Sequence, residues 1–567
     1  MGRRVRLLGV LMVACFALIV VQLVNIQLVR APALADSPYN PRVSQNQYDN
    51  ARGTIYAADG EVLAQSVKPS AATAKTTGYK YDYTRSYPTG NVTGGNIYAG
   101  IIGYDSPRYY GTAGLEEEYN SYLEAQPQSD KTLSQIIFRQ KLPDTTDNVS
   151  LTIEPSLQEV AWNALNSVPG ASKDGAVVVL DPSTGAVLAM VSNPIYDNNA
   201  MVNPNVDAEK EAYFSYIVKD HEGFQPLIPF ATGQIEAPGS TFKVVTSTAA
   251  YNLKPSLDNF NYPFQTCQTF PAGGKALCDQ SGPCGGTMLE MLPQSCDPGY
   301  GELGIQEGDS TLAKQAALFG IGSVPGIDLP SNNDVVASKF SDIPNQYPAN
   351  NALLAYSAIG QDDDEMTALQ NAMDAAAIAN DGVIMTPHLM SEITSSQGGV
   401  IERYTPKAMP RTATSKAAQN VTLDMLGVAT HGTAQPVGFP SYLCAAVKTG
   451  TAQTAPTVTV TDDWMIGFAP ANDPKIAVAV VVPNQYKNSD GADIAGPIMK
   501  AVMEAAIPKG SADGCTGADA SAAGYAPTTT GTAPPAATTT TTAPAATTTT
   551  TTAVAATTTT AATTPAP

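Results

Sequence analysis

A serine and a lysine three residues apart could together carry out acyl transfer in this chain. Ser-Thr-Phe-Lys occupies positions 240–243, directly after Ala-Pro-Gly and at the start of an apolar stretch that reaches Tyr251. The pattern predicts a helix that begins at the serine, and residues three apart on a helix share one face. A serine hydroxyl needs a neighbouring base, and the Lys243 amine would be within reach of Ser240. The N–H groups at the helix start would add a place for an oxyanion.

A second group of polar residues follows further along the chain. Lys-Thr-Gly-Thr at 448–451 continues an apolar run, and two more apolar runs follow at 464–468 and 476–482. These runs predict three strands of a meander. The first strand would place a cation, two hydroxyls and a glycine beside a groove, which suits a substrate with a terminal carboxylate. The residues concerned are Lys448, Thr449, Gly450 and Thr451.

Between these two groups lies Ser-Cys-Asp at 295–297, at the start of a segment with a helical pattern. The order Ser-x-x-Lys, Ser-x-Asn and Lys-Thr-Gly is the signature of penicillin-binding proteins and serine β-lactamases. The chain therefore resembles that superfamily. Within it, the chain resembles the class B penicillin-binding proteins, which are monofunctional peptidoglycan D,D-transpeptidases, and most of all the actinobacterial penicillin-binding protein A type.

The resemblance extends over about residues 40–508. Arg-Gly-Thr at 52–54 and Gly-Leu-Glu at 114–116 are similar to landmarks of the family's non-catalytic domain. The segment 174–191 is similar to the first hairpin of the transpeptidase domain, and His-Gly-Thr-Ala at 431–434 lies where relatives have a similar string.

The resemblance implies an α+β fold with a transpeptidase domain like that of penicillin-binding proteins and serine β-lactamases, in which helices cover an antiparallel sheet. That domain would lie behind an elongated pedestal and a single transmembrane helix. The expected divisions are an anchor, a dimerisation-like pedestal, the transpeptidase domain and a disordered Thr/Ala/Pro-rich tail. Their bounds are 1–30, 31–150, 151–510 and 511–567.

By resemblance, Ser240 attacks a peptidoglycan stem peptide that ends in D-Ala-D-Ala, and β-lactams acylate the same serine. Lys243 would be its base, and Lys448 would keep Lys243 partly neutral by repulsion. Ser295 would relay a proton, and Lys448 with Thr449 and Thr451 would hold the substrate carboxylate. The oxyanion hole would consist of the Ser240 and Thr451 N–H groups.

Asp297 departs from the family pattern, which usually has asparagine at this position. An amide both donates and accepts hydrogen bonds, whereas an ionised carboxylate only accepts. Asp297 would instead pair with Lys243 and make it a poorer base. A rival position for the middle motif is Ser-Asn-Asn at 331–333, but it follows a string that lies after this motif in relatives, so Ser295 is preferred.

The N-terminus predicts export. Leu7–Val24 forms an apolar run long enough to span a bilayer, with arginines at positions 3, 4 and 6 before it. This favours a single-pass anchor in the cell membrane with an extracytoplasmic catalytic domain. The alternative is a cleaved signal peptide, because Ala-Leu-Ala at 33–35 has the pattern of a cleavage site.

Composition excludes several other classes. Fifty-one acidic against 31 basic residues give a net charge of -20, so nucleic acid is not an expected partner. The three histidines stand in no triad or zincin pattern, and no metal or cofactor is expected. The seven cysteines of an exported chain suggest disulfides, but spacing does not fix their pairing. Cys296 is interpreted as a small buried residue rather than as a bridge partner.

Three functions remain open from the sequence. The leading hypothesis is a membrane-anchored D,D-transpeptidase that works beside a multi-span glycan polymerase. The second is a β-lactam-binding sensor, or a weakly active scaffold in which Asp297 has reduced turnover. The third is a D,D-carboxypeptidase or a β-lactamase, which would need neither a pedestal nor an anchor.

Overall fold

The structure is a computed structural model that describes residues 2–25, 49–106, 110–125, 145–169, 171–218, 223–271, 273–331, 334–341, 351–453, 460–486 and 489–510. The expected tail, 511–567, lies outside the described residues, and so do Asn332 and Asn333 of the rival motif.

The described chain contains both helices and strands. The α-helices are α1 Gly2–Val24, α2 Ala71–Thr77, α3 Ala99–Ile102, α4 Leu115–Glu118, α5 Asn120–Leu123, α6 Pro155–Ser167, α7 Asn198–Met201, α8 Val206–Tyr216, α9 Phe230–Gly233, α10 Lys243–Leu253, α11 Met288–Gln294, α12 Asp297–Glu307, α13 Asp309–Leu318, α14 Asn351–Ser357, α15 Ala368–Ala379, α16 Ser415–His431 and α17 Ala495–Ala506. The strands are β1 Ile55–Tyr56, β2 Val62–Val67, β3 Thr84–Ser86, β4 Asn91–Val92, β5 Gly95–Asn96, β6 Asp105–Ser106, β7 Gly111–Thr112, β8 Asp147–Leu151, β9 Gly175–Leu180, β10 Val187–Asn193, β11 Tyr262–Gln265, β12 Cys267–Gln268, β13 Leu277–Cys278, β14 Cys284–Gly286, β15 Met390–Ser395, β16 Val400–Arg403, β17 Ala446–Gln453, β18 Val460–Ala469 and β19 Ile476–Tyr486.

A five-stranded antiparallel sheet carries the predicted meander and hairpin. Its order is β10-β9-β19-β18-β17, so the expected hairpin at 174–191 and the meander that starts at Lys-Thr-Gly-Thr belong to one sheet. Every residue of β9 is buried, which requires cover on both faces. Helix α15 packs on the sheet, and α6 and α17 pack on it and on each other. The predicted α+β fold with helices over an antiparallel sheet is confirmed.

A second sheet joins distant parts of the chain in the order β16-β15-β8-β1-β2-β3. Strand β1 lies parallel to β8, and β8 pairs antiparallel with β15. This sheet therefore contains strands from both sides of the expected boundary at residue 150, and the division into domains stays a prediction.

The two pedestal landmarks meet in a buried ion cluster. The Glu116 carboxylate accepts from Arg52 Nε at 2.7 Å and from Arg85 Nε at 2.5 Å. Burial works against ionisation of Glu116, but the two guanidinium groups hold the pKa of its carboxyl below the ordinary value. Because a buried carboxylate needs cationic partners, this cluster ties Arg52 and Arg85 to the first turn of α4.

The apolar run predicted as a membrane anchor lies within α1. Among the described residues, the structure contains no helix with both the length and the apolar character needed to cross a membrane. The anchor stays a prediction.

Two disulfides stabilise the segment between α10 and α12. Cys267 pairs with Cys278, and Cys284 pairs with Cys296. Cys296 is buried, as interpreted, but the interpretation that it is not a bridge partner is wrong. Spacing could not reveal the pairing, because Cys284 and Cys296 are brought together by the way α11 folds back on β14.

Candidate active site

Ser240 and Lys243 meet at the start of a helix, as predicted. Residues Gly239–Phe242 form one turn of 3-10 helix that continues directly into α10. The Lys243 Nζ donates to Ser240 Oγ at 2.9 Å, and the lysine side chain is fully buried. The backbone fits closely here, because a side chain on Gly360 would overlap the Gly239 carbonyl oxygen. The glycine at 360 therefore allows the serine turn to pack against the segment before α15.

Ser295 lies between two helices that hold it in an unusual conformation. It follows α11, where Thr287 and Glu290 form a capping box, and it precedes α12. Its φ of 57° and ψ of 36° are left-handed, which is uncommon for a residue other than glycine. The bridge from Cys284 to the neighbouring Cys296 secures this turn. The capped helix α11 before Ser295 and the disulfide at Cys296 after it thus both restrain the middle motif.

Lys243 contacts both ends of that motif. Its Nζ donates to the Ser295 carbonyl oxygen at 2.6 Å and lies 3.3 Å from Ser295 Oγ. It also forms an ion pair with Asp297 Oδ1 at 2.6 Å. The predicted pairing of Asp297 with Lys243 is confirmed.

Lys448 approaches the same serine from the strand side. Its Nζ donates to Ser295 Oγ at 2.8 Å and to the Thr449 carbonyl oxygen at 2.9 Å. Burial lowers the pKa of Lys448 well below its ordinary value, and the charge of Lys243 lowers it further, although Asp297 opposes the shift. Repulsion from Lys243 thus contributes to the lowered pKa of Lys448. Ser295 Oγ bridges the two amines.

The hydroxyls of the Lys-Thr-Gly-Thr strand are held by residues on other segments. Thr449 Oγ1 lies 2.7 Å from Thr433 Oγ1, and Thr451 Oγ1 accepts from the Gly491 N–H at 3.1 Å. Gly450 leaves no room for a side chain, since a Cβ there would lie 2.8 Å from the Pro238 carbonyl oxygen. The glycine thus allows the strand to lie against the turn that carries the serine.

A groove extends to both sides of Ser240. One pocket, of about 230 Å³, is lined by Lys275, Tyr356 and Gln361. The other, of about 300 Å³, is lined by Thr433 and Thr449. Ser240, Asp297 and Thr451 border both pockets. A ligand could therefore pass over the serine and extend into either pocket.

Some groups beside the site were missed by the sequence reasoning. Thr433 belongs to the His-Gly-Thr-Ala string, which resembled relatives but carried no assigned role. Asp462 and Asp463 begin the apolar part of β18 and are both buried. Two adjacent acidic residues at the start of an otherwise apolar strand were a sequence signal that could have identified Asp462 and Asp463 as candidate functional residues. Glu236, close to the serine turn, shares a hydrogen bond with Asp462, and burial raises its pKa to about 8.

These features define a class of protein. A serine bonded to a lysine one turn along its helix, a second serine between two lysines, and a Lys-Thr-Gly strand on an antiparallel sheet form the site of an acyl-transferring serine enzyme of the penicillin-recognising type. The penicillin-binding protein transpeptidase domain family matches residues 175–504, and the penicillin-binding protein A dimerisation domain family matches residues 52–140. The chain belongs to the penicillin-binding protein transpeptidase family.

Individual proteins are similar over almost their whole length. The peptidoglycan D,D-transpeptidase PbpA of Mycolicibacterium smegmatis is 34% identical over 522 residues, which is 88% of this chain and 98% of the relative. PbpA of Mycobacterium tuberculosis is 32% identical over 529 residues, 89% of this chain and 99% of the relative. The ceftriaxone acyl-enzyme complex of penicillin-binding protein A from M. tuberculosis superposes with a TM-score of 0.70 and 31% identity, covering 82% of this chain and all of that one.

Proposed function

We propose that the protein is a peptidoglycan D,D-transpeptidase that joins stem peptides through an acyl-enzyme on Ser240 and that β-lactams acylate the same serine. The observation that carries this proposal is the 2.9 Å contact between Lys243 Nζ and Ser240 Oγ at a helix start that borders an open groove. The names of the similar proteins, and the acyl-enzyme formed by one of them, support it.

In the proposed reaction, Ser240 Oγ attacks the carbonyl carbon of the penultimate D-alanine and gives its proton to Lys243. The N–H groups of Ser240 and Thr451 stabilise the oxyanion. The bond to the terminal D-alanine then breaks, and the departing nitrogen takes a proton through Ser295. An acceptor amine attacks the ester, forms the cross-link and returns a proton to Ser240. Thr449, Thr451 and Lys448 hold the donor's carboxylate in the first half of the reaction.

Lys243 must lose a proton before it can act as a base. An ammonium has three N–H donors, and Lys243 Nζ lies near four oxygens, one of which is a carboxylate. Ser295 Oγ lies 3.3 Å from Lys243 Nζ and 2.8 Å from Lys448 Nζ, so it offers a path for that proton to the second lysine. Burial lowers the pKa of Lys448, which favours its neutral form, and only that form can accept a proton.

One assay separates this function from the two alternatives. The purified full chain is given a D-alanyl-D-alanine donor or a thioester donor, with and without an acceptor amine. Amide formation that depends on the acceptor identifies a transpeptidase, and release of the hydrolysed donor alone identifies a carboxypeptidase. Rapid hydrolysis of β-lactams would indicate a β-lactamase. Covalent β-lactam labelling without turnover of either donor would indicate a sensor or scaffold.

Replacing Asp297 by asparagine is expected to speed acylation at neutral pH. Asp297→Asn removes the negative charge that pairs with Lys243 at 2.6 Å, while the side chain keeps its shape and its hydrogen-bonding oxygen. We expect a rise of roughly tenfold, because a hydrogen bond to a charged group contributes about 1.5–3 kcal/mol and part of it is retained. The measurement is the second-order rate constant of acylation by a fluorescent penicillin between pH 5 and 9.

Asp473→Asn is a matched charge control, because Asp473 lies in the exposed turn between β18 and β19, where it pairs with Lys475 at 2.7 Å. That variant should acylate at the wild-type rate. An unchanged or slower rate in Asp297→Asn at neutral pH would show that the carboxylate does not restrain Lys243. Such a result would favour a role in accepting a hydrogen bond from substrate, or the rival motif that begins at Ser331.

We also propose that Leu7–Val24 holds the protein in the cytoplasmic membrane, with the catalytic domain outside, beside a multi-span glycan polymerase. The support is the apolar run with arginines before it, together with the exposure of those of its side chains that the structure describes, such as Phe16 at 71%. Cross-linking from pedestal residues in intact membranes tests the partner. Failure to capture a polytopic polymerase from any pedestal position would contradict this part of the proposal.

The anchor proposal predicts that the native protein keeps its N-terminal segment. Mass spectrometry of protein taken from washed membranes should recover peptides from within residues 1–35. Recovery of a mature N-terminus at Asp36, with the catalytic domain in the medium, would instead show that the segment is a cleaved signal peptide.

A further inference from the structure

The chain that follows β19 forms one wall of the substrate groove. Ser489, Asp490 and Ala492 border the same pocket as Thr449 and Thr451. The segment is compact, because Asp490 Oδ1 accepts from the N–H groups of Ala492 and Asp493 at 2.9 and 3.0 Å. We call residues 489–491 the groove loop. The groove loop therefore lies beside the Thr449 and Thr451 hydroxyls, where it can affect how they bind a ligand.

Gly491 connects the groove loop to Thr451. Its N–H donates to Thr451 Oγ1 at 3.1 Å. A side chain on Gly491 would overlap the backbone oxygens of Trp464 and Gly450, so only glycine allows the loop to come this close. The contact is therefore built into the packing of the loop on strands β17 and β18.

The contact with Gly491 restricts the direction in which the Thr451 hydroxyl can donate its proton. A threonine hydroxyl has one proton to donate and two lone pairs to accept with. Because the Gly491 N–H occupies a lone pair, the hydroxyl proton is directed away from the loop and remains available to an oxygen in the groove. Hydrogen bonds to a carboxylate are among the stronger ones, so the orientation of this proton matters most for anionic ligands.

Asp463 holds the other end of the groove loop. It is the cross-strand partner of Thr451 and is completely buried. Its carboxylate accepts from Thr461 Oγ1 at 3.3 Å and forms a side-chain hydrogen bond with Ser489. Burial raises the pKa of Asp463 to about 7, against the lowering effect of these two hydrogen bonds. A buried acid is costly to retain, which calls for an explanation.

We propose that Asp463 is a positioning residue for carboxylate recognition: it holds Ser489, so that the groove loop presents Gly491 to Thr451 and aims the Thr451 hydroxyl at the ligand's carboxylate. The inference rests on the proposed function, in which Thr451 binds that carboxylate. Asp463 itself does not touch the ligand, and its effect passes through Ser489, Gly491 and Thr451.

The test compares two probes that differ only in the charge to be recognised. Benzylpenicillin carries a free carboxylate, and its methyl ester does not. The second-order rate constant of acylation is measured for both with the full chain at pH 8, and their ratio reports carboxylate recognition. We expect Ser489→Ala and Asp463→Val each to lower this ratio by about tenfold, the size expected when a charge-assisted hydrogen bond is lost.

The direction in which the acylation ratio changes distinguishes a positioning role of Asp463 from electrostatic repulsion of the ligand. Asp463→Asn and Asp463→Val remove the same charge, but asparagine keeps an oxygen that can accept from Ser489. Positioning predicts that asparagine retains a nearly wild-type ratio and that valine does not. Repulsion between Asp463 and the ligand's carboxylate would instead raise the ratio equally in both variants.

A double variant tests whether the effect of Ser489 passes through the Thr451 hydroxyl. In a Thr451→Val background, Ser489→Ala should cause no further loss, because the hydroxyl through which the groove loop acts is absent. Asp473→Asn is the charge control, since Asp473 lies in the exposed turn between β18 and β19 and pairs with Lys475 at 2.7 Å. It should leave the ratio unchanged.

Two results would overturn the inference while leaving the proposed function intact. These are an unchanged ratio in Ser489→Ala, and a shared rise in the two Asp463 variants. Because Ser489 lies at the groove rim, Ser489→Ala tests the inference even if Asp463→Val does not fold. A wild-type chain that neither probe acylates would refute the proposed function itself, and the inference with it.

Discussion

Ser240→Ala is expected to abolish covalent labelling by a fluorescent penicillin while leaving the fold unchanged. The reason is geometric, because Ser240 Oγ lies 2.9 Å from Lys243 Nζ and opens onto both pockets of the groove. Ser295 also lies near Lys243, but it borders only the second of these pockets and its hydroxyl is held between the two lysines. The measurement is in-gel fluorescence after denaturation, with thermal unfolding to confirm that the variant is folded.

Ser247→Ala provides a matched control on the same helix. Ser247 lies about two turns further along α10 and is hydrogen-bonded to the Tyr300 hydroxyl at 2.6 Å, away from the groove. This variant should lose some stability but keep its label. Labelling that persists in Ser240→Ala would refute the assignment of the nucleophile. Loss in Ser295→Ala alone would transfer that assignment to the middle motif.

Lys243→Ala is expected to reduce the acylation rate by a factor of about a hundred to ten thousand, the range typical for loss of a general base. Lys243 is the amine that contacts Ser240 Oγ, and Lys448 reaches Ser295 instead. The rate constant should fall with little change in reversible binding of the β-lactam, since the groove hydroxyls remain. Stopped-flow acylation at several ligand concentrations separates these two quantities.

Removal of Lys243 also leaves Asp297 without its cationic partner. We expect Lys243→Ala to lower the free energy of unfolding by about 1–3 kcal/mol, less than for a fully buried pair, because the Asp297 side chain is 27% exposed. The double variant Lys243→Ala with Asp297→Asn removes both charges. It should regain most of the stability and none of the acylation rate. Recovery of the rate together with the stability would show that Lys243 acts only by holding the structure.

Local patterns along the chain were sufficient to predict the elements that depend on neighbouring residues. After Ala-Pro-Gly the sequence changes to a helical pattern of apolar residues. This change predicts a helix start at the Ser-x-x-Lys motif, where α10 begins. The meander and the hairpin follow from apolar runs separated by turn residues, and β9, β10, β18 and β19 match them closely. The strand that carries Lys448 begins only at Ala446, because Ser441–Leu443 forms a 3-10 turn before it.

The contacts between those elements depended on the folding of the whole chain. Lys243 and Asp297 are 54 residues apart, and their 2.6 Å pairing depends on a left-handed turn at Ser295 and on the bridge to Cys284. Neither feature has a periodic signal, because a single strained residue and a disulfide between distant segments leave no repeat in the sequence. No pattern in the sequence indicates that Asp463 lies opposite Thr451 or that the groove loop joins them. Their linkage arises from strand register and from the approach of a loop that only a glycine at 491 permits, and both are properties of the packed sheet.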